Sequence, residues 1–366
     1  MTDDRQRAEK GRGATLNLEG RFARDARTRE DDGWGILDEP LPPLETVVQA
    51  DAARTIISRN ASPDVGFSAS VNPYRGCESG CIYCFARPSH AYMDLSPGID
   101  FETKLFYKPN AAALLRDEFR KPGYRPTPIA LGINTDGYQP IERKYGITRA
   151  CLEVMREFRH PVSIVTKHSL VARDVDLLAD LARDDLVQVM FSVTSLDPEI
   201  KRTLEPRAAG PQARLRSMRL LADAGVPTGV MIAPVIPAVT DHEIEHILAA
   251  AADAGARSAG YVMLRLPYEV KHLFRAWLDE HYPQRAAHVM SLVNQMRGGK
   301  DYDARFGTRM RGEGPFADLV RARFVAACRK LNLNRGDRDN LGARTRLRTD
   351  LFAPPARTGD QLGLFG

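Results

Sequence analysis

The sequence predicts an α/β fold built on a parallel sheet, either a barrel or a doubly wound sheet. Six short apolar runs recur through the middle of the chain, and segments with helical spacing lie between them. Apolar runs of this length are typical of strands buried on both faces. Strands that alternate with helices indicate βα units, whose strands pair in parallel. Six strands are fewer than the eight of a complete TIM barrel.

The predicted elements follow one another in a regular order. The strands are GFSASVN (66–72), PIALGIN (128–134), PVSIVTK (161–167), LVQVMFSVT (186–194), PTGVMIAPVI (227–236) and AGYVMLRL (259–266). The helices after the second to fifth strands are ITRACLEVMREF (147–158), DVDLLADLARD (174–184), PQARLRSMRLLADAG (211–225) and DHEIEHILAAAADAG (241–255). Two of these helices end in Asp-Ala-Gly, a typical helix stop, and Thr240, Asp241 and Glu243 are typical of a helix start.

Both ends of the chain differ in composition from its middle. Residues 1–45 are rich in Arg, Asp, Glu and Gly, which predicts a disordered or surface-draped arm. We expect the core domain over residues 60–300 and a C-terminal helical extension over residues 301–334. Residues 335–366 are rich in Arg and Gly, which predicts a flexible tail.

Composition limits the class of protein. The chain has 366 residues, 43% of them hydrophobic and 27% charged, as expected for a globular protein with a sizeable core. A net charge of +5 tolerates a polyanionic partner without demanding one. The first residues, MTDDRQRAEKGRG, have no apolar stretch of a secretory signal, and no apolar run is long enough to cross a membrane. Five cysteines do not form a disulfide framework in a chain of this length, so we expect reduced thiols and a cytoplasmic location.

A cluster of thiols directly follows the first predicted strand. Three of the five cysteines, Cys77, Cys81 and Cys84, have the spacing C-x3-C-x2-C. Three unrelated buried cysteines are one reading, and a zinc site is a second, although structural zinc prefers four protein ligands and His90 is the only local candidate for the fourth. A third reading is a [4Fe–4S] cluster with one iron left open for an added ligand.

The C-x3-C-x2-C spacing, with an aromatic residue before the last cysteine (Tyr83), resembles the signature of the radical S-adenosylmethionine (SAM) superfamily. The resemblance covers roughly residues 60–300 and implies a partial (β/α)6 TIM-type barrel. It implies that Cys77, Cys81 and Cys84 hold a [4Fe–4S] cluster whose open iron binds SAM. In this family, reductive cleavage of SAM gives a 5′-deoxyadenosyl radical that abstracts a hydrogen atom from substrate. Such chemistry needs an electron donor, which implies flavodoxin or ferredoxin.

The resemblance also implies candidate SAM contacts at the strand ends. Thr135 and Asp136 offer oxygen acceptors for the SAM amino group, although Thr-Asp-Gly also makes an ordinary turn. Lys167 ends the third strand and is the candidate partner of the SAM carboxylate. Ser192 and Thr194 lie two residues apart on one strand and therefore share a face, which suits cavity lining as well as bonds to backbone.

Three further side chains are candidates on the following segments. Glu205 and Arg207 in LEPRAAGPQAR are expected to contact the ribose or carboxylate of SAM, unless they form a salt bridge on a loop. Arg265 ends the sixth strand and is a candidate for substrate contact.

Within the superfamily, the segments NPYRGC, TDGYQPIE and EPRA resemble spore photoproduct lyase and a bacterial group of lyase-like proteins. The lyase has a hydrogen-donating cysteine just before its Ser/Thr-Asp pair, where this chain has Asn134. The resemblance therefore favours a radical SAM reaction, with DNA repair as its candidate role, over direct use of the lyase mechanism.

The end of the chain suggests a partner. Residues Gln361–Phe365 (QLGLF) are similar to the peptide by which bacterial repair proteins bind the sliding clamp of DNA polymerase. The segment DYDARFGTRMR (301–311) is basic and aromatic, and suits either contact with a phosphate backbone or an exposed connector. The alternative function is a clamp-associated DNA-binding accessory protein with a structural or redox-sensing Fe–S cluster.

Overall fold

The computed structural model describes residues 11–23, 44–335 and 347–356. Its centre is a seven-stranded sheet of order β10-β9-β8-β7-β6-β3-β2, in which all neighbours are parallel except β2 and β3. The strands of this sheet are β2 (Ile57–Arg59), β3 (Ala69–Val71), β6 (Ile129–Leu131), β7 (Val162–Thr166), β8 (Val187–Ser192), β9 (Thr228–Val235) and β10 (Ser258–Met263).

Five of the six parallel strands lie within the predicted runs, and β10 begins at Ser258, one residue before the sixth run, so the predicted α/β fold with a parallel sheet is confirmed. Each run is apolar because the sheet buries it: Val71, Leu131, Val189 and Val230 have no exposed surface. The sheet is open in the part of the chain that the structure describes, with β2 and β10 at its two edges.

Helices follow most strands. Their bounds are α1 (Asp100–Thr103), α2 (Ala111–Phe119), α3 (Glu142–Tyr145), α4 (Ile147–Glu157), α5 (Val175–Ala182), α6 (Pro198–Leu204), α7 (Pro211–Asp223), α8 (Ile244–Asp253), α9 (Val270–His281), α10 (Ala286–Gln295) and α11 (Pro315–Lys330). Three short 3₁₀ helices occupy Arg87–Met93, Ser169–Asp174 and Asp241–Glu243.

The four predicted helices are α4, α5, α7 and α8, each crossing from one parallel strand to the next. Gly225 and Gly255 follow α7 and α8 with φ values of +84° and +92°, the left-handed conformation that ends a helix most easily at glycine. Both Asp-Ala-Gly stops are therefore confirmed.

A second, three-stranded sheet has the order β1-β5-β4 and was not predicted. Its strands are β1 (Val47–Ala50), β4 (Tyr74–Arg75) and β5 (Lys104–Tyr107). β4 lies between β3 and the three cysteines and pairs antiparallel with β5. The small sheet therefore fixes the chain on both sides of the cysteine segment.

The described parts of both terminal segments pack on the core domain. Gly13, Ala14 and Thr15 are buried, so this part of the predicted N-terminal arm is not surface-draped. Phe352, in the predicted tail, packs against Phe119 with ring centroids 5.9 Å apart, and the Ala353 amide donates to the Phe158 carbonyl. The domain boundaries themselves stay predictions.

Over the described ranges, no helix is both long and apolar enough to span a bilayer.

Candidate active site

The three cysteines lie on the loop that leaves β4, at the carboxyl ends of the parallel strands. Sites of open α/β folds occupy this edge. Cys77 and Cys81 are buried, Cys84 is half-buried, and all three are free thiols. Gly80, between the first two cysteines, has a φ of +67°, which lets the loop curl tightly.

The thiols lie in surroundings that oppose ionisation. Burial raises the pKa of Cys77 to about 12 and raises the pKa values of Cys81 and Cys84 above their ordinary range. Thiolates would therefore need a compensating cation, because the protein alone favours neutral thiols there. Iron bound by the sulfurs would supply that positive charge.

A fully buried ion pair anchors the cysteine loop. Arg87 donates to the Cys81 carbonyl at 2.8 Å and the Gly80 carbonyl at 3.1 Å, and it meets Glu102 at 2.5 Å. Arg87 also donates to the carbonyls of Pro97 and Gly98, at 3.1 and 2.9 Å. Neither side chain of the pair is exposed. The Arg87 guanidinium thus holds four backbone carbonyls, two of them on the cysteine loop. The sequence did not single out Arg87 as a site residue.

Residues 12–21, here called the N-terminal strap, complete this anchor. The amides of Gly13 and Ala14 donate to the Glu102 carboxylate at 2.9 and 2.8 Å. A Cβ at Gly13 would lie 1.8 Å from the Gly80 carbonyl oxygen, so only glycine allows this approach. At its far end, Arg21 pairs with Glu269 at 3.2 Å, just after β10. The strap therefore contacts loops that follow the first and the last parallel strands.

A second buried network lies beside the loop, around Glu205. Its carboxylate accepts from Tyr83, from Arg214 and, at 2.7 Å, from Thr194. Burial by itself would raise the pKa of Glu205, but the charges of Arg214 and Lys167 and the hydrogen bonds outweigh it and lower the pKa to about 2. Glu205 is therefore a fixed anion, bound to the aromatic residue that precedes Cys84.

Lys167 reaches the same network from the end of β7. Its ammonium donates to the Ser192 hydroxyl at 2.5 Å and lies 3.9 Å from the Glu205 carboxylate. Ser192 and Thr194 also donate to the Ala233 carbonyl of β9, at 3.3 and 3.1 Å. The structure thus brings four candidate residues together: Lys167, Ser192, Thr194 and Glu205.

Thr135 and Asp136 lie at the end of β6 and bond within the protein. Thr135 donates to the Tyr74 carbonyl at 3.0 Å. Asp136 accepts from the Thr166 hydroxyl at 2.8 Å and from the Lys167 amide at 2.7 Å. The Thr135 hydroxyl therefore connects this segment to β4, and the Asp136 carboxylate connects it to the end of β7. Contact with SAM stays a prediction for both residues.

Arg207 lies apart from the Glu205 network. It is exposed, and it pairs with Glu78 at 3.2 Å, beside Cys77. Glu205 has Arg214 as its partner instead, a residue that sequence reasoning missed. Asn134, which stands at the position of the lyase's hydrogen-donating cysteine, is exposed and has no thiol. Its backbone amide donates to the Asn72 side chain at 2.9 Å.

Gln139 is a further residue that the sequence did not single out, although it lies in the quoted TDGYQPIE segment. Its side chain accepts from the Glu78 amide at 3.0 Å and donates to the Gly76 carbonyl at 3.2 Å. Gln139 therefore bonds to the residues on both sides of Cys77 and connects the cysteine loop to the segment that follows β6. Predicted partner residues Gln361–Phe365 lie outside the described residues.

Comparison with known proteins gives the family. A family model described as the radical SAM superfamily matches residues 71–251, which include the cysteine loop and the strands β6 to β9. An uncharacterised protein of Mycobacterium tuberculosis is 39% identical over 231 residues, 63% of this chain and 68% of the relative. The chain belongs to the radical SAM superfamily.

More distant relatives agree with this membership. An uncharacterised protein of Methanocaldococcus jannaschii is 25% identical over 214 residues, 58% of this chain and 76% of the relative. Among solved structures, spore photoproduct lyase complexed with dinucleoside spore photoproduct has a TM-score of 0.55 at 16% identity, over 78% of this chain and 79% of the lyase. At this identity the likeness concerns the fold, which is lyase-like.

Membership of the radical SAM superfamily implies a [4Fe–4S] cluster, SAM and a source of electrons. The donor set fits, because three free thiols lie on one glycine-containing loop. No group of His, Cys, Asp or Glu within the described residues is arranged to hold a single metal ion. A cluster makes a different demand, since each cysteine binds a different iron atom. This chain is therefore a radical SAM enzyme with a lyase-like fold.

Proposed function

We propose that this enzyme binds a [4Fe–4S] cluster through Cys77, Cys81 and Cys84, cleaves SAM reductively and abstracts a hydrogen atom from a nucleic-acid substrate. The observation that carries the proposal is the cysteine loop at the carboxyl edge of a radical SAM domain, with a buried polar network beside it. When bound, the cluster and SAM supply the 5′-deoxyadenosyl radical. The protein's own residues bind and orient SAM and the substrate, and they exclude water from the site.

Lys167 is the proposed partner of the SAM carboxylate. Its ammonium is largely buried and contacts neutral acceptors in Ser192 and Ala233, while Glu205 lies farther away at 3.9 Å. An ammonium with three donors can keep the Ser192 contact and still meet an added carboxylate. Thr135 and Asp136 are the proposed acceptors for the SAM amino group, because they end the strand next to Lys167.

Glu205 is proposed to act through its neighbours. It stays ionised because Arg214 and Lys167 hold it so, and it orients Tyr83 and Thr194 by hydrogen bonds. Tyr83 and Phe85 flank Cys84 and are proposed to shield the cluster from water. Arg207, paired with Glu78, is proposed to close the outer side of the site beside Cys77.

The nucleic-acid substrate is supported by the fold of a lyase whose solved complex contains a dinucleoside photoproduct. The reaction would nevertheless differ from direct use of a thiol at the end of β6. Asn134 stands there, and Cys151 and Cys328 are both buried in the hydrophobic core. We therefore propose repair or modification of a nucleic acid with a hydrogen donor other than a cysteine at this position.

The test is SAM cleavage by anaerobically reconstituted protein. Dithionite should support formation of 5′-deoxyadenosine, and deuterium from a labelled substrate should appear in it. Cys84→Ala should abolish cleavage and reduce the iron content. Cys328→Ala is the matched control, since it removes a buried thiol far from the loop and should cleave SAM normally. Equal cleavage by the Cys84→Ala variant would refute the proposal.

The electron donor and the clamp are separate proposals. A flavodoxin or ferredoxin is proposed because the family needs a one-electron reductant. Binding of the sliding clamp through Gln361–Phe365 is proposed on the sequence pattern alone, with the accessory-protein function as the alternative. A pull-down with clamp protein, with and without residues 361–366, tests it, and binding that does not depend on these residues counts against it.

A further inference from the structure

Arg265 and Arg297 lie close to each other where β10 ends, and neither has an acidic partner among residues 11–23, 44–335 and 347–356. Arg297 is 2% exposed and donates to the carbonyls of Leu264 at 2.8 Å and Thr308 at 3.0 Å. Its Nε is buried without a hydrogen-bond partner. Arg297 is thus a buried cation held only by backbone.

Arg265 lies near Arg297 and, like it, contacts the segment that contains residues 302–310. It donates to the Met310 sulfur and to the Tyr302 hydroxyl, both at 3.3 Å, and its Nε is also buried without a partner. In the described residues, neither Arg265 nor Arg297 forms a salt bridge. The acceptors that these two guanidinium groups contact directly are therefore neutral.

This arrangement differs from the other deeply buried arginines. Arg87 is bonded to Glu102, and Arg214 is bonded to Glu205. A buried charge is costly unless it is paired, and a like charge nearby adds to the cost. Burial and the charge of Arg265 lower the pKa of Arg297 to about 10, although Asp303 opposes them.

Asp303 does not neutralise the pair, because other donors occupy its carboxylate. It accepts from the Arg305 backbone amide at 3.0 Å, from the Arg305 Nε at 3.0 and 3.1 Å and from the Thr308 hydroxyl at 2.9 Å. Within the described ranges, the positive charge of Arg265 and Arg297 is therefore left without an acidic partner, which suits an added anionic ligand.

The surroundings indicate what that group is attached to. The Arg265 guanidinium carbon lies 5.5 Å from the ring centroid of Phe85 and 6.0 Å from that of Tyr302. Phe85 is 43% exposed and directly follows Cys84. Aromatic rings with free surface stack on bases, and arginine beside them binds phosphate oxygens.

We propose that Arg265 and Arg297 form a phosphate-binding subsite and that Phe85 stacks on the base attached to that phosphate. Arg265 contacts the ligand, and Arg297 raises the positive charge behind it. The ligand class is a nucleoside phosphate, either within a nucleic-acid strand or as a free nucleotide. This inference deepens the proposed function and rests on it for the link to hydrogen abstraction, but binding can be measured without SAM.

The experiment measures binding of a fluorescently labelled single-stranded oligonucleotide to the reconstituted holoenzyme by anisotropy. Arg265→Gln should weaken binding roughly 10- to 100-fold and reduce its salt dependence, and Arg265→Lys should restore part of it. Arg116→Gln is the matched control, because it removes a partly exposed arginine of α2 that is already paired with Glu157 at 2.6 Å. Equal losses in both glutamine variants, or none in Arg265→Gln, would overturn the subsite.

Competitors distinguish the source of the phosphate. A nucleoside monophosphate that displaces the oligonucleotide at similar concentration indicates a free nucleotide, and failure to displace it indicates a strand; both support the subsite. Displacement by an acidic peptide, but not by a nucleoside monophosphate or by unlabelled oligonucleotide, overturns the subsite. An oligonucleotide without bases should bind more weakly than the normal one, and Phe85→Leu should remove this difference. No such difference in the wild type would overturn the stacking role.

SAM cleavage separates the two levels of the proposal. Arg265→Gln should lose deuterium transfer from a nucleic-acid substrate into 5′-deoxyadenosine, whereas the control Arg116→Gln should retain it. If the wild type binds the oligonucleotide through Arg265 but never cleaves SAM, the proposed function fails and the subsite stands. If the wild type cleaves SAM but binds the oligonucleotide independently of Arg265, the subsite fails and the proposed SAM cleavage stands.

Discussion

Replacing Glu102 with glutamine should destabilise the protein severely, although the two side chains have nearly the same shape. Glu102 and Arg87 form an ion pair in which neither side chain is exposed, so the substitution leaves the Arg87 charge buried and unpaired. Breaking a buried pair in this way costs about 3–5 kcal/mol. The amide of the new side chain would also face a backbone donor at Gly13 or Ala14, at a further cost of about 1 kcal/mol. We expect a loss of about 4–6 kcal/mol.

The assay is urea unfolding of the anaerobically prepared holoprotein, followed by the fluorescence of buried Trp277. A second readout is the rate at which the visible absorbance of the cluster bleaches in air. The Glu102→Gln variant should bleach faster, because Arg87 no longer holds the Gly80 and Cys81 carbonyls in place.

Asp174→Asn is the control for this prediction. Asp174 is equally buried and pairs with Arg149 and Arg173, but these two arginines are about one-third exposed and can turn to water. The control should lose less stability and bleach at the wild-type rate. A Glu102→Gln variant within about 1 kcal/mol of wild type would refute the reasoning, and equal bleaching in both variants would refute the link to the cysteine loop.

Three further predictions concern other contacts. Gly13→Ala should loosen the strap, since its Cβ would lie 1.8 Å from the Gly80 oxygen, and faster proteolysis near residue 13 would show it; unchanged protection would contradict the prediction. Lys167→Met should weaken SAM binding by about 1.5–3 kcal/mol, measured by calorimetry on holoprotein, and wild-type affinity would exclude a contact with the carboxylate. His160 has a pKa lowered by burial from 6.5 to about 4, so the unfolded chain takes up its proton first and stability should fall between pH 6.5 and 4, by at most about 3 kcal/mol. Urea unfolding across this pH range should give a smaller slope for His160→Gln, and an identical slope would disprove the assignment.

The sequence predicted the central sheet because burial on both faces leaves a strong apolar pattern in each strand. It also predicted the cysteine loop, since a spacing within eight residues is visible without a structure. The small sheet was missed because β4 has only two residues and shows no period.

Contacts between distant residues left no signal that a single sequence can show. Glu102 bonds to Gly13, 89 positions away, and the choice of partner depends on how α1 and the strap meet. The same limit explains Glu205 and Arg207. They are two positions apart, yet Glu205 turns inward to Arg214 and Arg207 turns outward to Glu78. Strand ends could be placed from the pattern, whereas side-chain directions on the loops could not.

The strap has a consequence for the order in which the protein is made. Its residues leave the ribosome before the parallel strands do, and Arg21 must wait for Glu269, 248 positions later, before it can form its ion pair. Domains fold largely as the chain emerges. The rim of the site is therefore completed late in synthesis, when the last parallel strand has been translated. Until then the strap lacks the ion pair that joins it to the segment after β10.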